Sequence, residues 1–244
     1  MSENLAKQAA AKVLAMATNF GLTHLRNGVA LDLDREEIRF ARITFSTSGE
    51  DLAVLRWARK LANVAPVYVD AGCFHPIQYS NTLLLSKLGW RGVNIDADQS
   101  RIALFERIRP LDANVIAALS DTEKEMTYFQ YEFGVTDRLG TLAETAKLSI
   151  LGEAPQVLQR VKTTTLNHIL KDRAIDKFGY LNIDCEGHDF EVVRGVDLAR
   201  YQPSIITIEA DTADDKAKVN EYLNRFGYEL KETLHRTLLF IRGE

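Results

Sequence analysis

"VYVDAGCFHP" (residues 67–76) is an apolar run that stops abruptly at an acid, a glycine and then a histidine. The same plan returns in "GVNIDAD" (92–98), in "ANVIAAL" (113–119) with Ser120 and Asp121 behind it, in "GYLNIDCEG" (179–187) and in "PSIITIEA" (203–210). Stretches with helical spacing of apolar residues lie between these runs. "EDLAVLRWARKLA" precedes the first, "NTLLLSKLG" and "SRIALFERI" precede the second and third, and a short one spans 189–194. Strands alternating with helices predict crossover units and a parallel sheet covered on both faces. Near-continuous apolar runs suit strands buried on both sides. Further on, "KAKVNEYLNRFG" (216–227) predicts a helix. "YELKETL" and "TLLFIR", parted only by His235 and Arg236, predict an antiparallel hairpin at the sheet's far edge.

The expected fold class is α/β: a doubly wound, mostly parallel, Rossmann-like sheet with a C-terminal antiparallel hairpin and an N-terminal helical extension. Residues 46–244 form the expected main domain, and residues 1–45 the extension. In the extension Leu5, Ala9, Val13, Met16 and Phe20 recur at near-helical spacing and predict an amphipathic helix. Its apolar face requires a partner, either the main core or a second copy of the chain in a homodimer. Residues 28–45 alternate loosely, with Ile38, Phe40 and Ile43 apolar, and predict a short strand or hairpin. Residues 134–160 are long for a connection in such a fold and predict a lid or substrate-binding insertion. Beside them, Tyr128, Phe129, Tyr131 and Phe133 predict a strand with aromatic cross-strand pairs, packed in the core or stacked on a sugar ring.

With 244 residues, 46% of them hydrophobic, the chain can bury one sizeable core. A net charge of -4 and a pI near 5.8 argue against binding nucleic acid through a broad basic field. No stretch reaches the roughly 20 apolar residues of a membrane span, and Lys7 and Lys12 interrupt the apolar early segment. That segment also lacks the features of a secretory signal. Two cysteines, Cys73 and Cys185, suit a reducing cytoplasm; they follow strands expected to be neighbours, but no functional disulfide is expected.

In open parallel sheets, ligands bind outside the carboxyl ends of the strands. The acids gathered there, Asp70, Asp96, Asp98, Asp121, Asp184, Glu186 and Glu209, would repel one another without a donor-rich or cationic ligand among them. "DAGCFHP" lacks the glycine spacing that seats a pyrophosphate and carries an acid where phosphate would be repelled, which disfavours a dinucleotide. Asp96, about 20 residues beyond the glycine turn, stands at the distance of a ribose acceptor. A ligand with a ribose, an ammonium group and no phosphate is S-adenosylmethionine.

The sequence resembles the FkbM family of S-adenosylmethionine-dependent methyltransferases. The resemblance rests on "TFSTSGEDL" (44–52), "VDAGCFHPIQYSNT" (69–82), "LGWRGVNIDAD" (88–98), "AALSD" (117–121), "RVKTTTLNHIL" (160–170), "LNIDCEGHDFEVVRGVD" (181–197) and "PSIITIEA" (203–210), in that order. It implies that Asp70 and Gly72 line the methionine end of the cofactor and that Tyr79, Ser80, Asn81 and Thr82 supply donors for its carboxylate. It implies further that Asp96 holds the ribose, that Ser120 and Asp121 flank the adenine, and that Asp184 faces the ammonium or the transferring methyl. Glu186 and His188 would then turn toward the acceptor, a small molecule or glycan.

An alcohol acceptor must lose its proton, and His188, Glu186 and His75 are the candidate bases. Asp184, Glu186 and His188 also offer oxygen and imidazole ligands for a divalent metal, though fewer than hard-metal sites use. Each residue has a plainer role open to it. Asp70 and Asp96 could cap helices, His75 could shape the turn before Pro76, and Glu186 and His188 could cap the helix after Gly187; His24, His168 and His235 are expected to be structural. The expected function is O-methylation of a hydroxyl on a sugar, glycan or sugar-containing natural product, in the cytoplasm. The alternatives are a metal-dependent hydrolase using Asp184, Glu186 and Asp70, and a non-catalytic cofactor-binding scaffold.

Overall fold

The run at 67–71 is strand β1 (Val67–Ala71), and it lies in the middle of a seven-stranded sheet. The computed structural model describes residues 35–130, 137–140 and 157–243. Residues 44–244 form one compact unit, separate from the segment before it. In that preceding segment, α1 (Arg35–Phe40) is a helix where a strand or hairpin was expected. Glu36 and Glu37 in its first turn and Arg39 in its last complement the helix dipole, which outweighs the loose alternation of Ile38 and Phe40. The helix expected over the first twenty residues, and the homodimer expected through it, lie outside the described residues.

The main unit opens with α2 (Glu50–Lys60), whose start is held by buried Asp51: its carboxylate accepts from Phe45 N at 2.8 Å and from the hydroxyls of Thr44 and Ser46. After β1 come α3 (Leu83–Lys87), β2 (Arg91–Asp96), α4 (Gln99–Ile108, capped by Asp98), β3 (Ala113–Ile116) and β4 (Ala118–Leu119). There follow β5 (Glu125–Gln130), β6 (Arg138–Gly140), β7 (Val157–Thr164), α5 (Leu166–Asp172), β8 (Tyr180–Ile183), α6 (Asp189–Arg194) and α7 (Leu198–Tyr201). The chain continues through β9 (Ile205–Glu209), α8 (Ala213–Asn224), β10 (Tyr228–Leu234) and β11 (Thr237–Arg242).

The main sheet runs β10-β11-β9-β8-β1-β2-β3, with all pairs from β9 to β3 parallel and the C-terminal hairpin added antiparallel through β11. This is the doubly wound Rossmann-like arrangement expected from the alternating runs. Winding proceeds from β1 toward β3 on one side and from β8 toward β9 on the other, so the chain reverses direction beside β1. One face packs Val69, Val93, Leu181 and Ile206 against Leu170, Val193 and Leu223 of the helices. The other packs Tyr68, Tyr180 and Leu239 against Val54 and Leu85.

A second sheet, in the order β4-β7-β5-β6, was not expected. "ANVIAAL" is split, with β3 in the main sheet and β4 pairing with β7 in the second. Of the described parts of the expected 134–160 insertion, residues 138–140 and 157–160 are strand residues of this sheet and Asp137 stands just before β6. β5 pairs Tyr128 with Gln159 and Leu139, and Phe129 with Leu158 and Arg138, so the expected aromatic cross-strand pairs are absent among the described residues. Tyr131 and Phe133 lie outside them. No described helix is long and apolar enough to cross a membrane.

Candidate active site at the strand ends

The ends of β1, β2 and β8 are tied by their backbones. Gly72 N and Cys73 N donate to Ile95 O at 2.9 and 3.1 Å, and Asp184 N donates to Ala71 O at 2.9 Å. Gly72 adopts φ +79°, and a Cβ there would stand 1.8 Å from the Asp184 carbonyl oxygen. The glycine thus permits two strand ends to meet. Cys185 Sγ is also close to Gly72, next to Cys73, and both thiols are free.

Asp96, at the end of β2, is 5% exposed, and burial raises its pKa. Its Oδ2 accepts from Phe74 N at 3.1 Å and its Oδ1 from Asp98 N at 2.9 Å. Arg101, on α4, approaches both oxygens at 3.3 and 3.5 Å, lies over the Phe74 ring and forms an ion pair with Asp137 beside β6. A carboxylate has about four acceptor positions. The long Arg101 contacts are the ones that hydroxyls of a sugar could replace, so Asp96 fits a ribose.

Asp70, on β1 two residues before Gly72, accepts from a protein group on each of its oxygens. Thr82 Oγ1 donates to its Oδ2 at 2.6 Å and Asn182 Nδ2 to its Oδ1 at 2.8 Å, while burial raises its pKa. Arg109, buried at the end of α4, donates to Thr82 Oγ1, Ser80 Oγ and Pro76 O at 2.8, 2.7 and 2.6 Å. Asn81 Nδ2 donates to Asn182 Oδ1 at 3.1 Å. The side chains of Ser80, Asn81 and Thr82 therefore brace the loop from below, and Tyr79, at φ +57°, stacks on Phe74. His75 Nδ1 accepts from Ile77 N and Gln78 N at 3.1 and 3.0 Å, which shapes its own turn.

Ser120 and His188 meet directly: Ser120 Oγ and His188 Nε2 lie 3.0 Å apart, and His188 Nδ1 lies 3.8 Å from Glu191. Ser120 is fully buried and His188 is 8% exposed, so the pair ties the end of β4 to the start of α6. Asp121 pairs with Lys124 and Arg194 at 3.3 and 3.2 Å. Glu186 occupies a left-handed backbone position, φ +51°, in the loop after β8.

Asp184 meets two acids: Glu209, expected among the strand-end acids, and Asp189, which was not expected at the site. Burial, and then the charges of Glu209, Asp189 and Glu186, hold the Asp184 carboxyl well above its usual range. Burial pushes Asp189 up to about 7. Arg236 pairs with Glu209 and, at 3.1 Å, with Asp211. Asp70, Asp96 and Asp184 do come together at one sheet edge, but the structure adds Asn182 as the partner of Asp70, Arg101 as that of Asp96, and Arg109 as a brace behind Asp70 through Thr82. Nothing in a lone arginine or asparagine marks it for that role until strand register is known. A cavity of about 420 Å³, lined by Ile77, Leu83, Lys87, Arg91, Ile108 and Arg109 among others, borders the end of α4 and the start of β2, and none of these acids lines it.

No curated protein matches the sequence. Among solved structures the chain is similar to a methyltransferase FkbM from Methylobacillus flagellatus KT, at 11% identity and a TM-score of 0.48, covering 81% of this chain. The match covers 56% of that protein's chain, little more than half its length. The model of the methyltransferase FkbM domain matches residues 70–230, from Asp70 of β1 into β10. That range holds the sheet edge and its acids and exceeds half of the sequence, and the chain belongs to the FkbM methyltransferase domain family.

Proposed function

We propose that the protein is an S-adenosylmethionine-dependent O-methyltransferase acting on a hydroxyl of a sugar, glycan or sugar-containing natural product, in the cytoplasm. The observation that carries this is Asp96: a buried acid at the end of β2, beside the reversal of winding, held by long, exchangeable contacts to Arg101. The loop at Gly72 and the Asp184 edge would receive the methionine end, and Asp121 the adenine. S-adenosylmethionine supplies a methyl already activated on a sulfonium, so alignment accounts for much of the catalysis. The chain's own task is to hold the acceptor in line and take its proton. The three candidate bases are Glu186, in the loop after β8, His188, which is bonded to Ser120, and His75, which accepts from the backbone of its own turn.

Calorimetric titration with S-adenosylhomocysteine tests the reading. Wild type should bind in the micromolar range, about -8 kcal/mol, and Asp96→Ala at least about tenfold more weakly. A wild type that does not bind would end the methyltransferase proposal. Binding undiminished in Asp96→Ala would move the ribose elsewhere.

A further inference from the structure

Asp184 follows β8, Glu209 ends β9 and Asp189 opens α6, so three elements deliver one carboxylate each to the same edge. One oxygen from each lies within 4.8 Å of the others. Oxygens bound to a common Mg²⁺ or Ca²⁺ at its usual distances are at most about 4 to 5 Å apart. Glu209 is 8% exposed; its Oε1 accepts from Arg236, and its Oε2 is buried with no hydrogen-bond partner. A buried acceptor left without a donor is costly. Its neighbours in the cluster are themselves acceptors, so they cannot relieve it unless a proton or a cation stands between them.

Asp189 is held rigidly, accepting from Cys185 N at 2.7 Å and Gly187 N at 2.9 Å, yet each oxygen keeps a second acceptor direction. Asp184 is only partly buried, which leaves solvent access to the cluster. Arg236 offsets a single negative charge at Glu209 and divides its contacts with Asp211. His188, expected as a ligand beside Asp184, is turned to Ser120.

We propose that Asp184, Asp189 and Glu209 form a binding site for one hard divalent cation of the Mg²⁺, Mn²⁺ or Ca²⁺ class, with water completing its coordination. The site stands on these carboxylates alone. Its consequence, that an acceptor hydroxyl at the same edge would be acidified by the ion, rests on the methyltransferase reading.

The probe is Mn²⁺ alone, titrated into the purified chain after chelator treatment and followed by the loss of the free-ion spin-resonance signal. One Mn²⁺ should bind per chain and be displaced by Mg²⁺. Glu209→Gln and Asp184→Asn should each weaken binding about tenfold or more. Bound Mn²⁺ should also broaden the amide signals of Gly187 and Arg236 in the wild type, which locates the ion even where a variant fails to fold. No uptake by the wild type means that Glu209 and Asp184 share a proton instead, and overturns the site. Unchanged binding in folded variants, or broadening confined to other residues, overturns it as well. Because no cofactor enters this experiment, its outcome is independent of the titration with S-adenosylhomocysteine.

Discussion

A single hydrogen at Gly72 decides whether β1 and β8 can meet. Any side chain there would place Cβ 1.8 Å from a carbonyl oxygen, which is backbone and cannot swing aside, at a positive φ that disfavours non-glycine residues. Gly72→Ala should therefore cost on the order of 3 kcal/mol or more. Urea denaturation reads it directly, and a variant with the wild-type midpoint would refute the close approach. The sequence marks this glycine, because it interrupts an apolar run just after an acid. It does not reveal why: room for a ligand and room for a neighbouring strand look the same in one dimension. Asp70 carries a similar lesson. It reads as a ligand contact from its place at a strand end, and the sequence does not reveal that Thr82 and Asn182 each donate to one of its oxygens.

Between elements, Arg101 links what the strands alone leave apart. It reaches from α4 to Asp96 of the main sheet and to Asp137 beside β6 of the second, while Gln130 of β5 donates to Asp98 at 2.9 Å. Removing the guanidinium should loosen the second sheet selectively. In Arg101→Leu, hydrogen exchange should quicken about tenfold at residues 125–130 and 157–164 and stay unchanged in β1 and β8. Uniform acceleration, or none, would show that Arg101 does not join the two sheets. Helices α2, α3, α4, α8 and the short α6 at 189–194 were readable from their period, whereas α5 and α7 were not among the expected helices. Nor was the second sheet readable. β6 has three residues and β4 two, too few to carry a pattern. In β5, neighbouring Tyr128 and Phe129 are both buried, 4% and 1% exposed, so the strand is covered on both faces and does not alternate as an open one would.

Across the whole molecule, one row of residues in register crosses five strands: Asn114, Asn94, Asp70, Asn182 and Thr207, from β3 through β2, β1 and β8 to β9. The row lies two residues beyond Tyr68 and Tyr180 and so on the same face, beneath α2 and α3. Each member sits inside a run that reads as apolar, and single-sequence reasoning treats it as an isolated exception; only the register makes a row of them. Asn182 is its hub, donating to Asp70 and accepting from Asn81 at 3.1 Å and Thr207 at 2.8 Å. Thr207 is at the margin, with Tyr180 OH 2.6 Å away as a second partner. A buried hub leaves several polar groups unpaired when it is lost, whereas a marginal member leaves few. Asn182→Ala should therefore lose roughly 3 kcal/mol and Thr207→Val roughly 1 kcal/mol, with neither changing the urea m-value. Equal losses would mean the row is a set of independent pairs. A loss below about 1 kcal/mol for Asn182→Ala would mean that water replaces the missing amide and that this face of the sheet is not dry.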